Sequence, residues 1–471
     1  MMGIYVMIYL TSLLRTSVRM FKIGVNTVAN RREAQRGWNA VHLACFGASA
    51  TASRGEEMSR VDEERQPIVV AALRTPVCRA NGRLRSLRAH ELMAPVVRAL
   101  LASCQVAGHE VTDVVLGNAV GGGGNVARLS ALEAGLPTTV PGLTVDRQCG
   151  SGLDAIVLAS RLVAAGGDGI YLAGGVESIS TRPLRGHRMA GGVVEFYSRA
   201  QFAPFTFGDP DMGVAAENVA REAGVTRNRQ DEYALRSHQR AFRAAASGLF
   251  DAEVVPLATG EGAVKFDDGP RRRLSKGLME RFPAAFVSGG TVTAANSCFD
   301  ADAAAGVVVT SLRKARSLGA QDGLLVVGSH TAGVDPQTLG LGAATAAGAL
   351  LSARGLSPDD LGLVEFNEAF ASQTLACLDR LGIDDSRVNR DGGAIAIGHA
   401  YGASGAVLVT RLLAQARRTG HVEQNALAMI SIAGGMGTAM LFRYSRLAPG
   451  VFPIQPRPAL FFKDPNDDHN C

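Results

Sequence analysis

The chain contains 471 residues, of which 47% are hydrophobic, 19% are charged and only 6% are aromatic. Most of its net charge of +5 comes from residues 1–55, which hold seven basic side chains and one acidic one, so the remainder is nearly neutral. This balance is typical of a globular protein with a sizeable core. It argues against a nucleic acid or an anionic membrane surface as a partner.

The seven cysteines are scattered along the chain and include no Cys-x-x-Cys pair. An odd number at such spacings predicts neither a disulfide framework nor a zinc site. Free cysteines are typical of a reducing compartment, so we expect a cytoplasmic protein without a metal. Most of them are expected to be small buried hydrophobic residues.

Residues 1–65 differ in composition from the rest and are predicted to be a leader or a non-native extension without regular structure. Met1–Leu14 is apolar, but it lacks the basic start of a secretory signal and is too short to span a membrane. Two interpretations remain open: residues 1–57 act as an Arg-rich organellar import sequence, or translation begins at Met58. No later stretch is apolar for long enough to form a transmembrane helix, so no membrane span is expected.

From Pro67 onwards, strand-like and helix-like patterns alternate. Residues 67–76, 111–120 and 169–178 are short apolar runs that end in turn residues, as buried strands do. Residues 91–105 carry apolar side chains at helical spacing. This alternation predicts an α/β fold with a mostly parallel sheet covered by helices on both faces.

Residues 182–288 interrupt the alternation. They are richer in charge and contain a long helix-like pattern at residues 227–248, which predicts a domain inserted over the sheet. Alternating patterns return at residue 306 and continue to Tyr444. Residues 447–471 predict a tail without regular structure.

The first candidate for chemistry is Cys149, in the segment 144–163. A β-prone run ends at this cysteine, the sequence Gly-Ser-Gly follows, and an apolar helix then begins. A thiol at a strand-to-helix turn lies near the positive end of the helix dipole, which favours the thiolate. Glycines also allow a ligand to approach the backbone amides. The segment therefore predicts a nucleophile, although a buried cysteine in a glycine turn has the same local pattern.

His399 and Asn367 are the other two candidates. His399 lies between glycines ahead of a long apolar helix, and an imidazole is the natural base for a thiol proton at neutral pH; a surface or capping histidine is the alternative. Asn367 and Glu368 follow an apolar strand at the start of a helix. Structurally, Asn367 would be a helix cap and Glu368 a favourable charge at the helix start. Functionally, Asn367 would fix a water or a carbonyl oxygen in an oxyanion site.

Together these three segments resemble the thiolase family. The resemblance extends from about Pro67 to Tyr444 and is carried by further motifs in a fixed order. These motifs are RTP at 74–76, GNAV to GNVAR at 117–128, AGGVES at 173–178, MGVAAENVA at 212–220, GTVTAANS at 290–297 and AGGMGTAM at 433–440. Each motif alone is weak, but chance rarely produces the ordered series.

The resemblance implies the thiolase fold, in which two similar βαβ-type halves form a five-layered α/β core with an inserted loop domain. One half is expected at residues 66–181 and 289–322, the loop domain at residues 182–288, and the other half at residues 323–446. The resemblance also implies acyl-CoA and CoA as binding partners, with the CoA thioester as substrate and no prosthetic group. It further implies a homodimer or homotetramer.

The resemblance also assigns a role to each candidate residue. Cys149 would be the acylated nucleophile and His399 its base, whereas Asn367 would hold a water that forms one oxyanion site with His399. The amides of Cys149 and Ala433 would form the other, for the oxygen of the acyl-enzyme. The residues expected to bind the substrate and coenzyme A are Met212, Cys298, Phe299, Glu368 and Phe370.

Ser431 departs from the family pattern. It stands where the family has a second cysteine, which moves the proton in the second half-reaction. A hydroxyl is far less acidic than a thiol, whose reference pKa is about 8.5, so Ser431, or a nearby water, is expected to be a slower catalytic acid–base group. Milder departures are Ala400 after His399, where the family has proline, and Cys298, where a serine contacts the pantetheine arm. Phe299 follows Cys298 and is expected to reshape the acyl pocket.

Three functions remain open, and a related fold is a further alternative. The first function is a thiolase that cleaves 3-ketoacyl-CoA or condenses two acyl-CoA molecules. The second passes the acyl group from Cys149 to an amine, hydroxyl, carrier thiol or water, which does not need the missing cysteine. The third is a non-catalytic protein that binds CoA esters or scaffolds a complex. The related alternative is a ketoacyl synthase.

Overall fold

The computed structural model describes residues 63–447. The predicted leader up to residue 62, with Met58, and the predicted tail from residue 448 lie outside the described residues. The strands, in chain order, are β1 Pro67–Arg74, β2 Cys78–Arg79, β3 Val111–Gly117, β4 Gly142–Val145, β5 Ile170–Glu177, β6 Arg185–Arg188, β7 Val194–Tyr197, β8 Leu257–Thr259, β9 Gly262–Val264, β10 Ala301–Ser311, β11 Asp322–Gly333, β12 Leu361–Phe366, β13 Asn425–Ile432 and β14 Met436–Arg446. The α-helices are α1 Ala89–Cys104, α2 Val126–Glu133, α3 Ser151–Ala164, α4 Met212–Glu222, α5 Arg227–Ala246, α6 Lys276–Met279, α7 Leu312–Ser317, α8 Gly342–Ala353, α9 Ala371–Leu381, α10 Ala394–Ile397 and α11 Tyr401–Thr419.

One large sheet has the strand order β12-β13-β14-β11-β1-β10-β5-β3-β4, with β2 paired to β10. In its first half, β1, β10 and β5 are antiparallel, and β5, β3 and β4 are parallel. In its second half, β11, β14 and β13 are antiparallel and β12 is parallel to β13, while a parallel bridge from Val364 to Val388 stands in for a fifth strand. The halves therefore repeat one strand plan and join where Ile68 pairs with Leu325. The prediction of a mostly parallel sheet is wrong, since most strand pairs of this sheet are antiparallel.

Two helices, α3 and α11, lie between the halves of the sheet. Their apolar side chains, such as Ile156 and Leu412, share one buried cluster with Val307 of β10 and Ile430 of β13. Helices α1, α2 and α7 cover the outer face of the first half, and α8 and α9 cover the outer face of the second. The order of helices, sheet, helices, sheet and helices confirms the predicted five-layered α/β core.

Glycines allow α3 and α11 to pack backbone against backbone. A β-carbon added to Gly152 would lie 2.4 Å from the carbonyl oxygen of Gly402, and one added to Gly405 would lie 2.4 Å from a backbone nitrogen of α3. Both distances are far shorter than an ordinary contact between non-bonded atoms. Because Cys149 precedes α3 and His399 precedes α11, this packing brings the two candidate residues to the same end of the helix pair.

We expect Gly405→Ala to destabilise the protein, because the added methyl group would press on the backbone of α3. Overpacking of this kind lowers the free energy of unfolding by about 1–3 kcal/mol, which urea denaturation measures. The matched control is Gly348→Ala in α8, where the added carbon would lie 3.6 Å from Leu381 Cδ2 and alanine's helix propensity adds up to ~1 kcal/mol. Equal effects of the two substitutions would contradict this account of the helix contact.

Residues 182–288 contain the β6–β7 hairpin, the helices α4 to α6 and the β8–β9 hairpin. The long helix expected at residues 227–248 is α5, which ends at Ala246. The boundaries of the inserted domain stay a prediction. Within residues 63–447, no helix is long and apolar enough to cross a membrane. Over the same residues, no group of three or more His, Cys, Asp or Glu side chains is arranged to hold a metal ion.

Candidate active site

Cys149 lies in the turn between β4 and α3. Local hydrogen bonds hold this turn: the Gly150 amide donates to the carbonyl of Arg147 over 2.9 Å, and the Ser151 hydroxyl accepts from the Arg147 amide over 2.8 Å. A β-carbon on Gly150 would lie 2.4 Å from Ile432 Cδ1. The turn therefore lies directly against the end of β13, and a glycine is what allows this close approach.

Burial raises the pKa of the Cys149 thiol to about 12. The backbone amides of Ala433 and of Cys149 itself donate towards the sulfur and lower that pKa by less, while the charges of Glu177 and Asp300 raise it further. The resting group is therefore a neutral thiol, which needs a base before it can attack a substrate. Two amides at the sulfur can also bind an oxygen that develops negative charge on an attached carbon.

His399 lies in the turn between α10 and α11. Its backbone amide donates to the carbonyl of Phe299 over 2.9 Å, its ring nitrogen Nδ1 lies 2.6 Å from the Ser404 hydroxyl oxygen, and the ring packs edge-on against Tyr401. The preceding Gly398 has a φ of 109°, a left-handed conformation that favours glycine. These contacts hold the imidazole in one orientation.

The other ring nitrogen of His399, Nε2, is buried and has no hydrogen-bond partner within residues 63–447. Burial lowers the pKa of the imidazole to about 4, so the ring is neutral at pH 7. When Nδ1–H donates to Ser404, the free lone pair is on Nε2, which can then accept a proton. A buried unpaired nitrogen costs about 1–3 kcal/mol, a cost that a hydrogen-bonded ligand removes.

Asn367 presents a second unpaired group. Its backbone amide donates to the carbonyl of Met429 over 3.2 Å, which fixes the residue at the end of β12. Its side-chain nitrogen Nδ2 is buried and, in the described part of the chain, has no hydrogen-bond partner. Native proteins rarely leave such atoms unpaired. The nitrogens of Asn367 and His399 therefore both indicate a place for polar atoms of a bound molecule.

The Glu368 carboxylate is surrounded by hydrogen-bond donors of the protein. Its carboxylate accepts hydrogen bonds from Tyr233 and Ser237 of α5 over 2.9 and 2.7 Å, and also from the Asn389 side chain and the Ile395 amide. The residue is only 1% exposed, and all four donors belong to the protein. Glu368 therefore ties α5 to the site from within, and its contact with the substrate stays a prediction.

Phe370 and Met212 lie on the side of the inserted domain. The Phe370 ring packs edge-on against Phe286, with centroids 6.0 Å apart. Phe286 also covers Gly213, the second residue of α4, where a β-carbon would lie 2.1 Å from the ring. Met212 begins this helix and is half-buried. Phe286 thus contacts Phe370 and also covers the helix turn that Met212 begins, and the roles of Met212 and Phe370 in binding stay predictions.

Cys298 is held between two loops of the site. Its amide donates to the carbonyl of Ala369 over 2.9 Å, and the following carbonyl, that of Phe299, accepts from the His399 amide. The Phe299 ring lies against the Arg79 guanidinium group, 3.7 Å away, and both line a cavity of about 440 Å³. Cys298 is therefore held between the loops of Asn367 and His399, whereas the Phe299 side chain lines the cavity.

Ser431 lies on β13 with its hydroxyl fully engaged. It donates to the carbonyl of Gly340 over 2.6 Å, and it accepts from the Ala343 amide over 3.1 Å and from Gln373 Nε2 over 3.2 Å. A hydroxyl has one donor and two acceptor sites, so all three are used. A role in proton transfer would require the bond to Gly340 to break first.

The sequence did not identify two carboxylates near the site, those of Asp300 and Glu177. The Tyr401 hydroxyl donates to Asp300 over 2.5 Å. Glu177 accepts from the amides of Ala119 and Gly402 and so connects the end of β3 with α11; burial raises its pKa to about 7. Burying a carboxylate at the end of an apolar strand costs free energy unless it has hydrogen-bond partners. The AGGVES motif could therefore have indicated a role for Glu177. No comparable pattern marked Asp300.

Models of known families match most of the described chain. Residues 67–313 match the thiolase N-terminal domain, and residues 324–444 match the thiolase C-terminal domain. The chain belongs to the thiolase family. The ordered motifs therefore predicted the family correctly, and this thiolase is an acyltransferase.

Individual thiolases resemble the chain over nearly their whole length. YhfS of Bacillus subtilis, provisionally assigned as an acetyl-CoA C-acetyltransferase, is 44% identical over 377 residues, which are 80% of this chain and 98% of YhfS. VraB of Staphylococcus aureus has the same provisional assignment and is 40% identical over 381 residues, 80% of this chain and 99% of VraB. A crystal structure of the acetyl-CoA acetyltransferase of Bacillus anthracis has a TM-score of 0.76 at 33% identity and covers 81% of this chain and 100% of its own. These matches favour an enzyme over the non-catalytic and ketoacyl synthase alternatives.

Proposed function

We propose that this thiolase cleaves 3-ketoacyl-CoA with CoA, and catalyses the reverse condensation, through an acyl-Cys149 intermediate. The observation that carries the proposal is the set of unpaired groups at one end of α3 and α11. The Cys149 sulfur faces two backbone amides, and His399 Nε2 and Asn367 Nδ2 are buried without partners within residues 63–447. The names of the relatives support acetyl-CoA as one of the substrates.

In the first half-reaction, His399 Nε2 takes the thiol proton of Cys149, and the sulfur attacks the 3-keto carbon. The amides of Cys149 and Ala433 stabilise the negative charge that develops on the attached oxygen. The carbon–carbon bond then breaks, and the acyl group stays on the sulfur. Acetyl-CoA leaves as an enolate, which must take up a proton at C2.

In the second half-reaction, the thiol of CoA loses its proton and attacks the acyl-Cys149 thioester. The other oxyanion site acts in the first half-reaction, in which the protonated His399 Nε2 and a water held by Asn367 Nδ2 donate to the thioester oxygen of acetyl-CoA as that oxygen takes up the enolate charge. Each of these donors lies in a water-poor interior, where hydrogen bonds to a charged oxygen are strongest. The burial of the two side chains thus serves the chemistry directly.

The test is to incubate the protein with acetoacetyl-CoA and CoA and to follow acetyl-CoA and the mass of the Cys149 peptide. We expect acetyl-CoA to form and an acetyl adduct to appear on Cys149. An adduct without acetyl-CoA formation would favour the second candidate, transfer to an amine, hydroxyl, carrier thiol or water. The engaged hydroxyl of Ser431 is the observation that keeps this candidate open. Absence of both products would contradict the proposal.

We also propose a homodimer or homotetramer that works in the cytoplasm and needs no prosthetic group, since CoA is a substrate. Exposed apolar side chains around the β6–β7 hairpin support the assembly: Leu184 is 87% exposed, and Val193 and Phe196 are each 65% exposed. Clusters of this kind commonly mark protein interfaces. Light scattering at micromolar concentration tests the assembly, cell fractionation tests the location, and activity after dialysis against a chelator tests the cofactor.

A further inference from the structure

Cys298 is fixed directly between the two loops that carry the unpaired nitrogens. On one side, its amide donates over 2.9 Å to the carbonyl of Ala369, two residues after Asn367. On the other side, the carbonyl of the next residue accepts from the His399 amide, also over 2.9 Å. Asn367 is 2% exposed and His399 is 4% exposed, and within residues 63–447 neither Asn367 Nδ2 nor His399 Nε2 has a partner. The backbone at Cys298 therefore connects the two loops whose buried nitrogens are free to bind polar atoms of a substrate.

Side chains alternate along extended backbone, which predicts that the Cys298 thiol lies on the same face of its segment as Asp300. Phe299 points the other way, against a guanidinium group. The Asp300 carboxylate accepts from the Tyr401 hydroxyl, and the Tyr401 ring packs 5.1 Å from the His399 ring. Cys298 is half-buried. Part of this residue is therefore accessible, and the Asp300–Tyr401 pair connects the predicted face of its thiol with His399.

The electrostatic surroundings connect Cys298 with the nucleophile. Burial raises the pKa of the Cys298 thiol, and the charges of Asp300 and Cys149 raise it further. The thiol therefore carries its proton at neutral pH, as a proton donor must. Once that proton is given up, the thiolate is basic enough to deprotonate a second thiol, whose reference pKa is about 8.5.

We propose that Cys298, and not Ser431, is the second proton-transferring residue of this thiolase, an inference that rests on the thiolysis proposed above. In the first half-reaction, the S–H bond of Cys298 breaks and its proton forms the new C–H bond at C2 of the departing acetyl-CoA enolate. In the second, the Cys298 thiolate takes the S–H proton of CoA, and the CoA sulfur attacks the acyl-Cys149 thioester. The Cys149 sulfur then leaves and recovers its proton from His399. Every proton returns to its origin, and no further co-reactant is needed.

The substitution Cys298→Ser separates proton transfer from substrate positioning. Serine preserves the size of the side chain and its ability to hydrogen-bond the pantetheine arm, but its hydroxyl exchanges protons poorly near neutral pH. We expect kcat for acetoacetyl-CoA thiolysis to fall roughly 10²–10⁴-fold, with KM changed less than about threefold. Exchange of the C2 hydrogens of acetyl-CoA with deuterated water is expected to fall in parallel with kcat.

Acylation of Cys149 by the 4-nitrophenyl thioester of acetic acid provides the comparison. The leaving group of this thioester, 4-nitrothiophenolate, is stable and needs no proton. We therefore expect Cys149 in the Cys298→Ser variant to be acylated within about threefold of the wild-type rate. The matched control is Cys104→Ser at the end of α1, which is expected to behave as wild type in every assay. The protein is used as the full chain throughout.

The possible outcomes distinguish failure of this inference from failure of the proposed function. Wild-type thiolysis by Cys298→Ser would overturn the role of Cys298, and so would equal losses in thiolysis and in acylation, which indicate a structural role. A wild-type protein that acylates Cys149 but neither cleaves acetoacetyl-CoA nor exchanges the C2 hydrogens would overturn both proposals. The inference is supported if Cys298→Ser loses thiolysis and exchange of the C2 hydrogens but still acylates Cys149.

Discussion

Replacing Cys149 with alanine is expected to lower kcat for acetoacetyl-CoA thiolysis by roughly 10⁴-fold or more, because the acyl-enzyme cannot form without the sulfur. The acetyl adduct seen by mass spectrometry should disappear with it. The substitution is expected to change the activity and not the fold, because the side chain is small and its turn is held by hydrogen bonds of the neighbouring backbone and of Ser151. Acetyl-CoA formation and circular dichroism measure the two effects separately.

The control for this prediction is Cys104→Ala, which removes a thiol at the end of α1. Its pKa is raised by burial, as that of Cys149 is, but no part of the proposed chemistry uses it. We expect it to retain thiolysis within about twofold. Substantial thiolysis by Cys149→Ala would refute the acyl-cysteine intermediate and every function built on it.

Replacing His399 with glutamine is expected to lower kcat/KM by roughly 10²–10⁴-fold, the usual contribution of one general base. Because burial raises the pKa of the Cys149 thiol to about 12, the thiolate fraction, and with it the rate of His399→Gln, should rise about tenfold per pH unit from about pH 7 to 9 without levelling off. A thiol with an ordinary pKa of about 8.5 would be largely ionised near pH 9, so the rate would approach a plateau. A plateau below about pH 9 would therefore contradict the buried environment of the sulfur.

In acid, the wild-type rate should depend on the protonation of His399. The imidazole acts as a base only when it is neutral, and burial lowers the pKa of His399 to about 4. We therefore expect kcat/KM to stay level as the pH falls to about 5 and to decline as it approaches 4. A decline centred near pH 6.5 would indicate a solvated histidine.

The same titration affects stability. The unfolded state binds a proton at His399 near pH 6.5, about the reference value for histidine, whereas the folded state does so only near pH 4. The free energy of unfolding should therefore fall as the pH drops from about 6.5 to 4, and His399→Gln should remove this part of the slope. The matched control is His238→Gln, since burial with Arg271 and Arg79 also lowers the pKa of His238 to about 4. It should show the same change in slope while retaining thiolysis within about threefold.

The sequence by itself determined the fold class, the family and the positions of the two principal turns. The alternation of apolar strands and helices is a local property, and the glycines around Cys149 and His399 mark sharp turns that few other residues permit. The helix expected at residues 91–105 is α1, and the strand expected at residues 111–120 ends earlier, at Gly117. Strand ends shift in this way because turns and side-chain partners compete with the sheet.

Only the tertiary structure decided which way the polar side chains of the site face. Glu368 is satisfied by Tyr233, 135 positions away along the chain, and Ser431 by Gly340, 91 positions away. Partners at such separations leave no periodic pattern, so a local sequence could not show that one carboxylate is enclosed and one hydroxyl is already engaged. The position of Cys298 between the loops of Asn367 and His399 has the same origin. Burial and hydrogen bonding depend on which distant segments fold together, and these two quantities set what each side chain can do chemically.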